Sequence, residues 1–328
     1  ALNMGIRNMK GEYFSWLSHD DLYYPEKIEK EMQAVQSLAD KTTVVQCEYD
    51  FYDMASGSLT TTNFHKYYTL EQITNSVFSV LQLQIHACGA LIHRDNFTRA
   101  GCFDETIYTV QDIELWFRML RNRKSCFVPE ALFRVREHAA AGSRTIPSYY
   151  AETCALYIRL IKKMSLAEME RVFGSPWRFL VRMTAFIKSY GGDISVIEKM
   201  LAECSPNDSD NRNLKILAEK LQKNRKRIVI FGAGQYGVRM HYELLKRGIE
   251  AELFLDNSTE KNQKIIDGLP CQLPETVHDD KDNIMVVVAL RNCQSALEQL
   301  QKLGFTNIII RQEIDGILTD RSRKQVKV

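Results

Sequence analysis

A glycine-rich turn constrains the fold of this chain more strongly than any other feature of the sequence. Gly232, Gly234 and Gly237 have the spacing G-x-G-x-x-G, directly after the apolar run 227–231. Residues with helical spacing follow, and the next strand-like run ends at Asp256. This succession of strand, glycine turn, helix and strand with an acidic end is typical of a parallel sheet that holds a phosphate at a helix N-terminus.

The rest of the carboxy-terminal region continues the alternation of strand and helix. Residues 284–290 are almost wholly apolar, as in a strand that is buried on both faces of a parallel sheet. We therefore predict a small Rossmann-like domain over 226–328. Its candidate cofactor-binding residues for a nucleotide or a nucleotide-sugar are Gly232, Gly234, Gly237 and Asp256. The alternative is a domain that keeps these glycines for turn and packing geometry alone.

The amino-terminal part of the chain has a different organisation. Residues 1–150 mix strand-like runs with helical stretches, and the aromatic run 12–17 predicts a buried strand. Strand signals disappear over 151–225, where apolar residues recur at helical spacing. The fold class is therefore α/β, with a mixed sheet in 1–150, a helical connector over 151–225 and a small parallel sheet over 226–328.

Composition excludes several classes of protein. The chain has 328 residues, of which 45% are hydrophobic and 26% are charged, enough for about two domains of ~150 residues. The net charge of +2 argues against a general nucleic-acid binder. No apolar run reaches the ~18 residues of a membrane-spanning helix. Eight cysteines without a C-x-x-C pair indicate free thiols in a reducing, cytoplasmic compartment.

Two adjacent carboxylates follow the first predicted strand. Asp20 and Asp21 come after His19, just before Pro25 begins a helical pattern. Mg²⁺ and Mn²⁺ prefer oxygen ligands and often complete their coordination with substrate phosphates. The alternative is that the two aspartates cap the helix and interact with its dipole.

Four ordered motifs make a more specific pattern than the acidic pair alone. They are the segment 1–22 with its N-x-G and G-E-Y elements, the pair 89–92 and 101–105 ending in G-C-F-D-E, the run 111–118 with the sequence Q-D-I-E-L-W-F-R, and the closing R-E-H at 136–138 with Ser143. Together they resemble family 2 glycosyltransferases of the GT-A fold.

The resemblance implies a role for each polar motif residue. Asp20 would bind the Mg²⁺ or Mn²⁺ that bridges the donor diphosphate, with Asp21 beside it. Asp112 would be the general base that deprotonates an acceptor hydroxyl in an inverting transfer. His138 would reach the same metal or diphosphate, and a packed structural histidine is the alternative.

This sequence departs from the family pattern at several positions. Ser18 stands where the acidic motif usually begins, Gln111 replaces the glutamate before the base, and Leu2 stands where many relatives have arginine. The family pattern also begins upstream of Ala1. The resemblance therefore implies that this chain, taken alone, lacks the amino-terminal donor-binding strands and can be inactive.

The carboxy-terminal region has a resemblance of its own. The residues 228–234, Asp256-Asn257 and 266–270 are similar to the Rossmann-like domain of polysaccharide-biosynthesis proteins and sugar acyltransferases. The two resemblances together imply sugar transfer from a nucleotide-diphosphate donor to a saccharide or lipid-linked acceptor in cell-surface polysaccharide synthesis, at the inner face of the membrane. The alternative is a non-catalytic nucleotide-sugar-binding module.

Two further features are candidate partner or ligand sites. The apolar stripe of 177–187 would give peripheral membrane contact, and helix-to-helix packing is the favoured alternative. No metal-ligand spacing is present at His86, His93, His241 and His278, so we expect structural roles for them.

Overall fold

The chain folds into two compact units, Ala1–Met164 and Ser165–Val328. The computed structural model describes residues 1–221 and 226–319, with the side chains of 278 and 279 left out. The predicted connector residues 222–225 and the tail 320–328 thus lie outside the described residues. Each unit is built around one sheet of six strands, so the predicted α/β class with two sheets is confirmed.

The first unit contains a mixed sheet. Its strands are β1 Tyr13–Ser15, β2 Leu22–Tyr23, β3 Val45–Asp53, β4 Leu59–Thr61, β5 Ala90–His93 and β6 Cys126–Glu137. The order is β1-β5-β3-β6-β2, with β4 paired to β3. The long central strands β3 and β6 are parallel, whereas the other pairs are antiparallel. This confirms the mixed sheet predicted for the first segment.

Nine helices accompany this sheet in the described part of the first unit. They are α1 Leu2–Asn8, α2 Lys27–Ser37, α3 Phe64–Tyr67, α4 Leu70–Thr74, α5 Phe78–Leu81, α6 Asp95–Ala100, α7 Gln111–Leu120, α8 Gly142–Thr145 and α9 Tyr149–Lys162. A short 3₁₀ turn, Ala87–Gly89, precedes β5. Helix α9 lies in the first unit, where Tyr157 donates a hydrogen bond to the carbonyl oxygen of Val80 at 3.4 Å. The sequence predicts these residues as the start of the helical connector over 151–225.

The second unit begins with a group of helices and continues with a parallel sheet. Its helices are α10 Leu166–Phe173, α11 Pro176–Ser189, α12 Ser195–Ala202, α13 Asp208–Leu221, α14 Gln235–Leu245, α15 Gln294–Lys302 and α16 Arg311–Leu318. Its strands are β7 Arg227–Phe231, β8 Leu253–Leu255, β9 Ile265–Ile266, β10 Leu269–Gln272, β11 Ile284–Val288 and β12 Ile308–Ile310.

The second sheet has the strand order of doubly wound folds. The order is β12-β11-β7-β8-β10-β9, and every pair is parallel except that of β9 with β10. Counted along the chain, the parallel strands run 3-2-1-4-5 from β10, which puts a crevice at the carboxyl ends of β7 and β11. Helices α14 and α16 pack on one face and α15 packs on the other.

The apolar stripe of α11 is buried inside the second unit. Trp177, Leu180, Val181, Thr184 and Ile187 are all buried, so this stripe offers no surface to a membrane. The packing alternative is the one that the structure supports. No helix in the described residues is both long and apolar enough to cross a bilayer.

Candidate functional site

The acidic pair lies between β1 and β2, beside the carboxyl end of β6. Asp21 is buried, and its Oδ1 accepts a hydrogen bond from the backbone N–H of Arg136 at 3.1 Å. Its Oδ2 accepts one from the Cys88 thiol at 3.2 Å. The pairing of Leu22 with Arg134 holds the segment against β6. Asp21 is therefore fixed by both the β6 strand and the Ala87–Gly89 turn.

Asp20 is the more accessible carboxylate. Its side chain is 28% exposed, and its Oδ2 lies 3.4 Å from Nε2 of His138, whose side chain is 26% exposed. The guanidinium of Arg136 donates to the Asp20 carbonyl oxygen, which fixes the backbone of the pair. The structure thus brings together two of the three predicted metal ligands, from positions far apart in the sequence, where a cation from solvent can reach them.

The capping alternative for the acidic pair does not hold. Helix α2 begins at Lys27, its N-cap residue is Glu26, and no side chain makes the cap hydrogen bond. Neither Asp20 nor Asp21 occupies a capping position, so their place in the fold needs another explanation.

A buried histidine and cysteine extend the acidic pair inward. Ligand-type atoms of Asp21, His86 and Cys88 all lie within 4.8 Å of one another. The His86 ring packs 5.6 Å from the ring of Tyr49 and 5.5 Å from that of Phe133. Burial raises the pKa of the Cys88 thiol to about 12, so the thiol keeps its proton at neutral pH and donates a hydrogen bond to Asp21. The sequence predicts a structural role for His86 and a free thiol at Cys88, and their spacing to Asp21 carries no ligand signature.

Asp112 lies in the first turn of α7 and is half-buried. Burial raises the pKa of its carboxyl, against the opposing effects of the His86 charge and of the backbone N–H groups of Ile113 and Asp112 itself. A carboxylate whose pKa is raised towards neutrality is a stronger base than an ordinary aspartate.

Three carboxylates act on the imidazole of His86. Burial lowers the pKa of His86, while the negative charges of Asp21, Asp112 and Asp20 oppose that change. Asp20 and Asp112, which the sequence places in separate motifs, therefore lie within electrostatic reach of one side chain. The lowered pKa favours the neutral form of the ring.

The remaining motif residues form the scaffold that holds α7. Asn3 donates to the carbonyl oxygen of Phe103 at 2.9 Å and accepts from its N–H at 2.9 Å. Arg118 makes a two-pronged contact with Glu114 at 2.7–2.9 Å and donates to the carbonyl oxygen of Cys102 at 2.7 Å. Because these contacts join α1, the 101–105 loop and α7, three of the motifs that are separate in the sequence contact one another in the fold.

Two buried polar atoms near Asp112 have no hydrogen-bond partner among the described residues. They are Oε1 of Gln111 and Nε1 of Trp116. Buried polar atoms are rarely left unpaired; Trp116 lies in the core, whereas Gln111 is half-buried and adjoins the candidate base in the sequence.

The three glycines of the G-x-G-x-x-G turn differ in whether the fold requires a glycine at their position. Gly232 has φ of +101°, and a Cβ there would lie 2.7 Å from Cδ2 of Leu290; a Cβ at Gly237 would lie 1.9 Å from the carbonyl oxygen of Gly232. Gly234 has an extended backbone and nothing within 4 Å of the Cβ position. Turn and packing geometry therefore explain Gly232 and Gly237 but leave Gly234, at the N-cap of α14, unexplained.

Asp256 supports the glycine turn. Its Oδ2 accepts from the N–H of Ala233 at 2.8 Å and from Nζ of Lys261 at 2.9 Å, and its Oδ1 accepts from the N–H of Ser258 at 2.9 Å. Burial opposes ionisation, but these hydrogen bonds hold the pKa of Asp256 below its ordinary value. Its place at the end of β8 is thus explained without a ligand.

A family model and several curated proteins match parts of this chain. Residues 1–98 match the family model described as glycosyl transferase family 2. An uncharacterized glycosyltransferase of Rickettsia typhi is 40% identical over 191 residues, which are 58% of this chain and 60% of the relative. A relative from Rickettsia prowazekii is 39% identical over the same shares of both chains. The match thus spans about 60% of the length of these relatives.

The solved structures show only weak similarity to this chain. A chain described as RSP in complex with beta-NADH is 17% identical, with a TM-score of 0.25, over 51% of this chain and 80% of that one. A related one, with beta-NAD⁺ and operator DNA, has the same TM-score of 0.25. Similarity at this level supports no conclusion about fold or ligand.

Proposed function

We propose, from the premise that the amino-terminal unit belongs to glycosyl transferase family 2, that this protein moves a sugar from a nucleotide-diphosphate donor to an acceptor hydroxyl. The observation that best supports this is the gathering of Asp20, Asp21 and Asp112 around His86. One partly exposed carboxylate with a histidine, and one carboxylate with a raised pKa, match the two tasks of such a transfer.

Asp20 and His138 are the residues that would hold a divalent cation. Their ligand atoms lie 3.4 Å apart and both side chains are accessible, which suits an oxygen-preferring ion that keeps part of its water shell. When bound, Mg²⁺ or Mn²⁺ would neutralise charge on the departing diphosphate. Both oxygens of Asp21 already accept hydrogen bonds, so we assign Asp21 mainly to orienting Asp20.

Asp112 would take the proton of the acceptor hydroxyl as its oxygen attacks the sugar. A direct attack of this kind inverts the configuration at the sugar carbon, and a single base suffices for it. The unpaired Oε1 of Gln111 would hydrogen-bond a sugar hydroxyl beside the base.

Nucleoside diphosphate release tests the transfer. UDP-, GDP- and dTDP-sugars are offered to the full-length protein with Mn²⁺ and an acceptor, and release is compared between the wild type, Asp112→Asn and Asp40→Asn. Asp40 is an exposed carboxylate of the same unit and serves as the matched control. We expect a loss of about 100-fold or more for Asp112→Asn and none for Asp40→Asn. Full activity of Asp112→Asn rules out the assigned base.

We place the reaction in cell-surface polysaccharide synthesis, on the cytoplasmic side of the membrane, with a saccharide or lipid-linked acceptor. The eight cysteines are all free thiols in the structure, which supports a reducing compartment. Radiolabelled sugar from the donor should then appear in a lipid-extractable or polysaccharide fraction of permeabilised cells. Label in protein alone would contradict this setting.

A second candidate function belongs to the second unit, as a module that binds a nucleotide-sugar at the glycine turn. It is supported by Gly234, which the protein itself does not require but which leaves the N-terminus of α14 open to a phosphate. Aspartate is a good N-cap residue, so Gly234→Asp should keep the fold and repel the phosphate. Calorimetric titration of the chain with UDP-sugars should show binding that this variant loses; binding unchanged in the variant removes the role of the turn.

A further inference from the structure

Three arginines of the second unit converge on one tyrosine at the carboxyl edge of its sheet. Strands β7, β11 and β12 are parallel neighbours, so the residues that follow them share this edge. Tyr236 lies in the first turn of α14 after β7, Arg291 follows β11, and Arg311 begins α16 directly after β12. The topology, rather than nearness in sequence, brings these side chains together.

The contacts around Tyr236 are close. The guanidinium carbon of Arg311 lies 4.7 Å from the centre of the Tyr236 ring, and that of Arg239 lies 5.4 Å from it. Nε of Arg291 donates to the Tyr236 hydroxyl at 3.4 Å. Burial raises the pKa of the phenol, but the charges of Arg291, Arg311 and Arg239 outweigh burial and hold that pKa below its ordinary value.

One buried carboxylate close to these arginines, that of Asp315, is shared between two arginine side chains. Arg311 pairs with Asp315 at 2.8 Å, but Asp315 also pairs with Arg182 at 2.5 Å. Arg239 makes no ion pair within the described residues; its Nε donates to the Ser189 hydroxyl at 2.9 Å, and its guanidinium packs 4.4 Å from the ring centre of Phe186. A poorly paired cation that is removed from water costs free energy, which an incoming anion offsets.

The cluster, defined here as Arg239, Arg291, Arg311 and Tyr236, also opens to solvent. Arg291 is exposed, Tyr236 and Arg311 are half-buried, and Arg239 packs among aromatic rings behind them. Helices α14 and α16 begin at this edge, so the partial positive charges of their N-termini add to that of the arginines. An anion can therefore enter past Arg291 and meet increasing positive charge.

We propose that the cluster is a binding site for the diphosphate group of a nucleoside diphosphate or its sugar conjugate. Arginine is suited to this group because its planar fork makes paired hydrogen bonds to phosphate oxygens. The proposal deepens the nucleotide-binding role of the glycine turn and rests on that role for the nucleoside part, since Gly234 and Tyr236 lie in the same turn of chain. In this proposal, residues outside the glycine motif select ligands that carry negative charge.

Titration calorimetry of the chain with UDP and with inorganic pyrophosphate tests the site. We expect both probes to bind, and Arg291→Met to weaken both by about tenfold or more, since it removes one charge-assisted contact. Arg212→Met, an exposed arginine on α13, is the matched control and should change neither affinity. Binding to the wild type should also weaken as salt is raised from about 50 to about 300 mM, because the screening length falls from above ~10 Å to below ~8 Å over this range.

The outcomes separate this site from the role of the glycine turn. Loss of UDP binding in Gly234→Asp, with unchanged UDP and pyrophosphate binding in Arg291→Met, keeps the turn and overturns the arginine site. Pyrophosphate binding that survives Gly234→Asp but not Arg291→Met supports the arginine site alone. If Arg291→Met lowers the melting temperature, Tyr236→Phe, which keeps the ring, is measured in its place and should weaken the binding of both probes. Unchanged affinity of Tyr236→Phe overturns the proposal. Failure of the wild type to bind either probe also overturns it.

Discussion

Replacing Gly237 with alanine should destabilise the second unit severely. The new Cβ would lie 1.9 Å from the carbonyl oxygen of Gly232, whereas real Cβ atoms essentially never approach closer than 3.0 Å, so the two must separate by at least 3.0 − 1.9 = 1.1 Å. The obstacle is backbone, and the N–H of Gly232 is held by the Leu255 carbonyl oxygen at 2.7 Å. We therefore expect a cost at the upper end of overpacking in a core, about 3 kcal/mol.

Differential scanning calorimetry of the whole chain measures this cost. For a unit of this size each kcal/mol moves the melting temperature by about 2–4 °C, so the transition of the second unit should fall by roughly 6–12 °C. Gly234→Ala is the matched control: its Cβ meets nothing within 4 Å, and only a weaker N-cap is lost, about 0.5–1 kcal/mol. Equal melting temperatures for the two variants would refute the described packing of α14 against the turn.

Three further predictions concern the first unit. Asp112→Asn should raise the melting temperature at pH 7, because the raised pKa means that the folded state disfavours the charged carboxyl that the amide replaces; calorimetry with an unchanged or lower transition contradicts this. The transfer rate should rise with pH through a step above the ~3.9 of an ordinary aspartate, since the base acts only when deprotonated; a pH–rate profile that is flat down to pH 4 contradicts the raised pKa. Gly89→Ala should lower the free energy of unfolding by about 1–3 kcal/mol, since its Cβ would lie 2.8 Å from Cε1 of Phe133; denaturant titration with an unchanged midpoint shows that the ring moves aside freely.

Local patterns in the sequence predict the two sheets but not where every helix packs. The almost wholly apolar run at 284–290 becomes the buried strand β11, as its composition requires. Helix α9 shows the limit of such patterns. Its apolar spacing predicts one buried face, but spacing does not say which core receives that face, and Tyr157 packs into the first unit.

The candidate sites likewise combine residues that sequence motifs identify with residues that only the fold brings together. Asp20, Asp112 and His138 are found through motifs, and the approach of His138 to Asp20 follows from the pairing of β2 with β6. His86 escapes notice because it reaches Asp21 only through the order of strands in the sheet. The arginines around Tyr236 are missed for the same reason, since they follow three different strands whose adjacency is a long-range property.

The manganese dependence of nucleoside diphosphate release tests most directly whether Asp20 and Asp112 serve one reaction in separate roles. Release is measured as a function of Mn²⁺ concentration for the wild type, Asp20→Asn and Asp112→Asn. Asp20→Asn should require a much higher Mn²⁺ concentration for half-maximal release. Asp112→Asn should keep the wild-type Mn²⁺ requirement, but its maximal release should fall by about 100-fold or more. A Mn²⁺ requirement that does not change in Asp20→Asn, or a maximum that does not change in Asp112→Asn, would contradict the account.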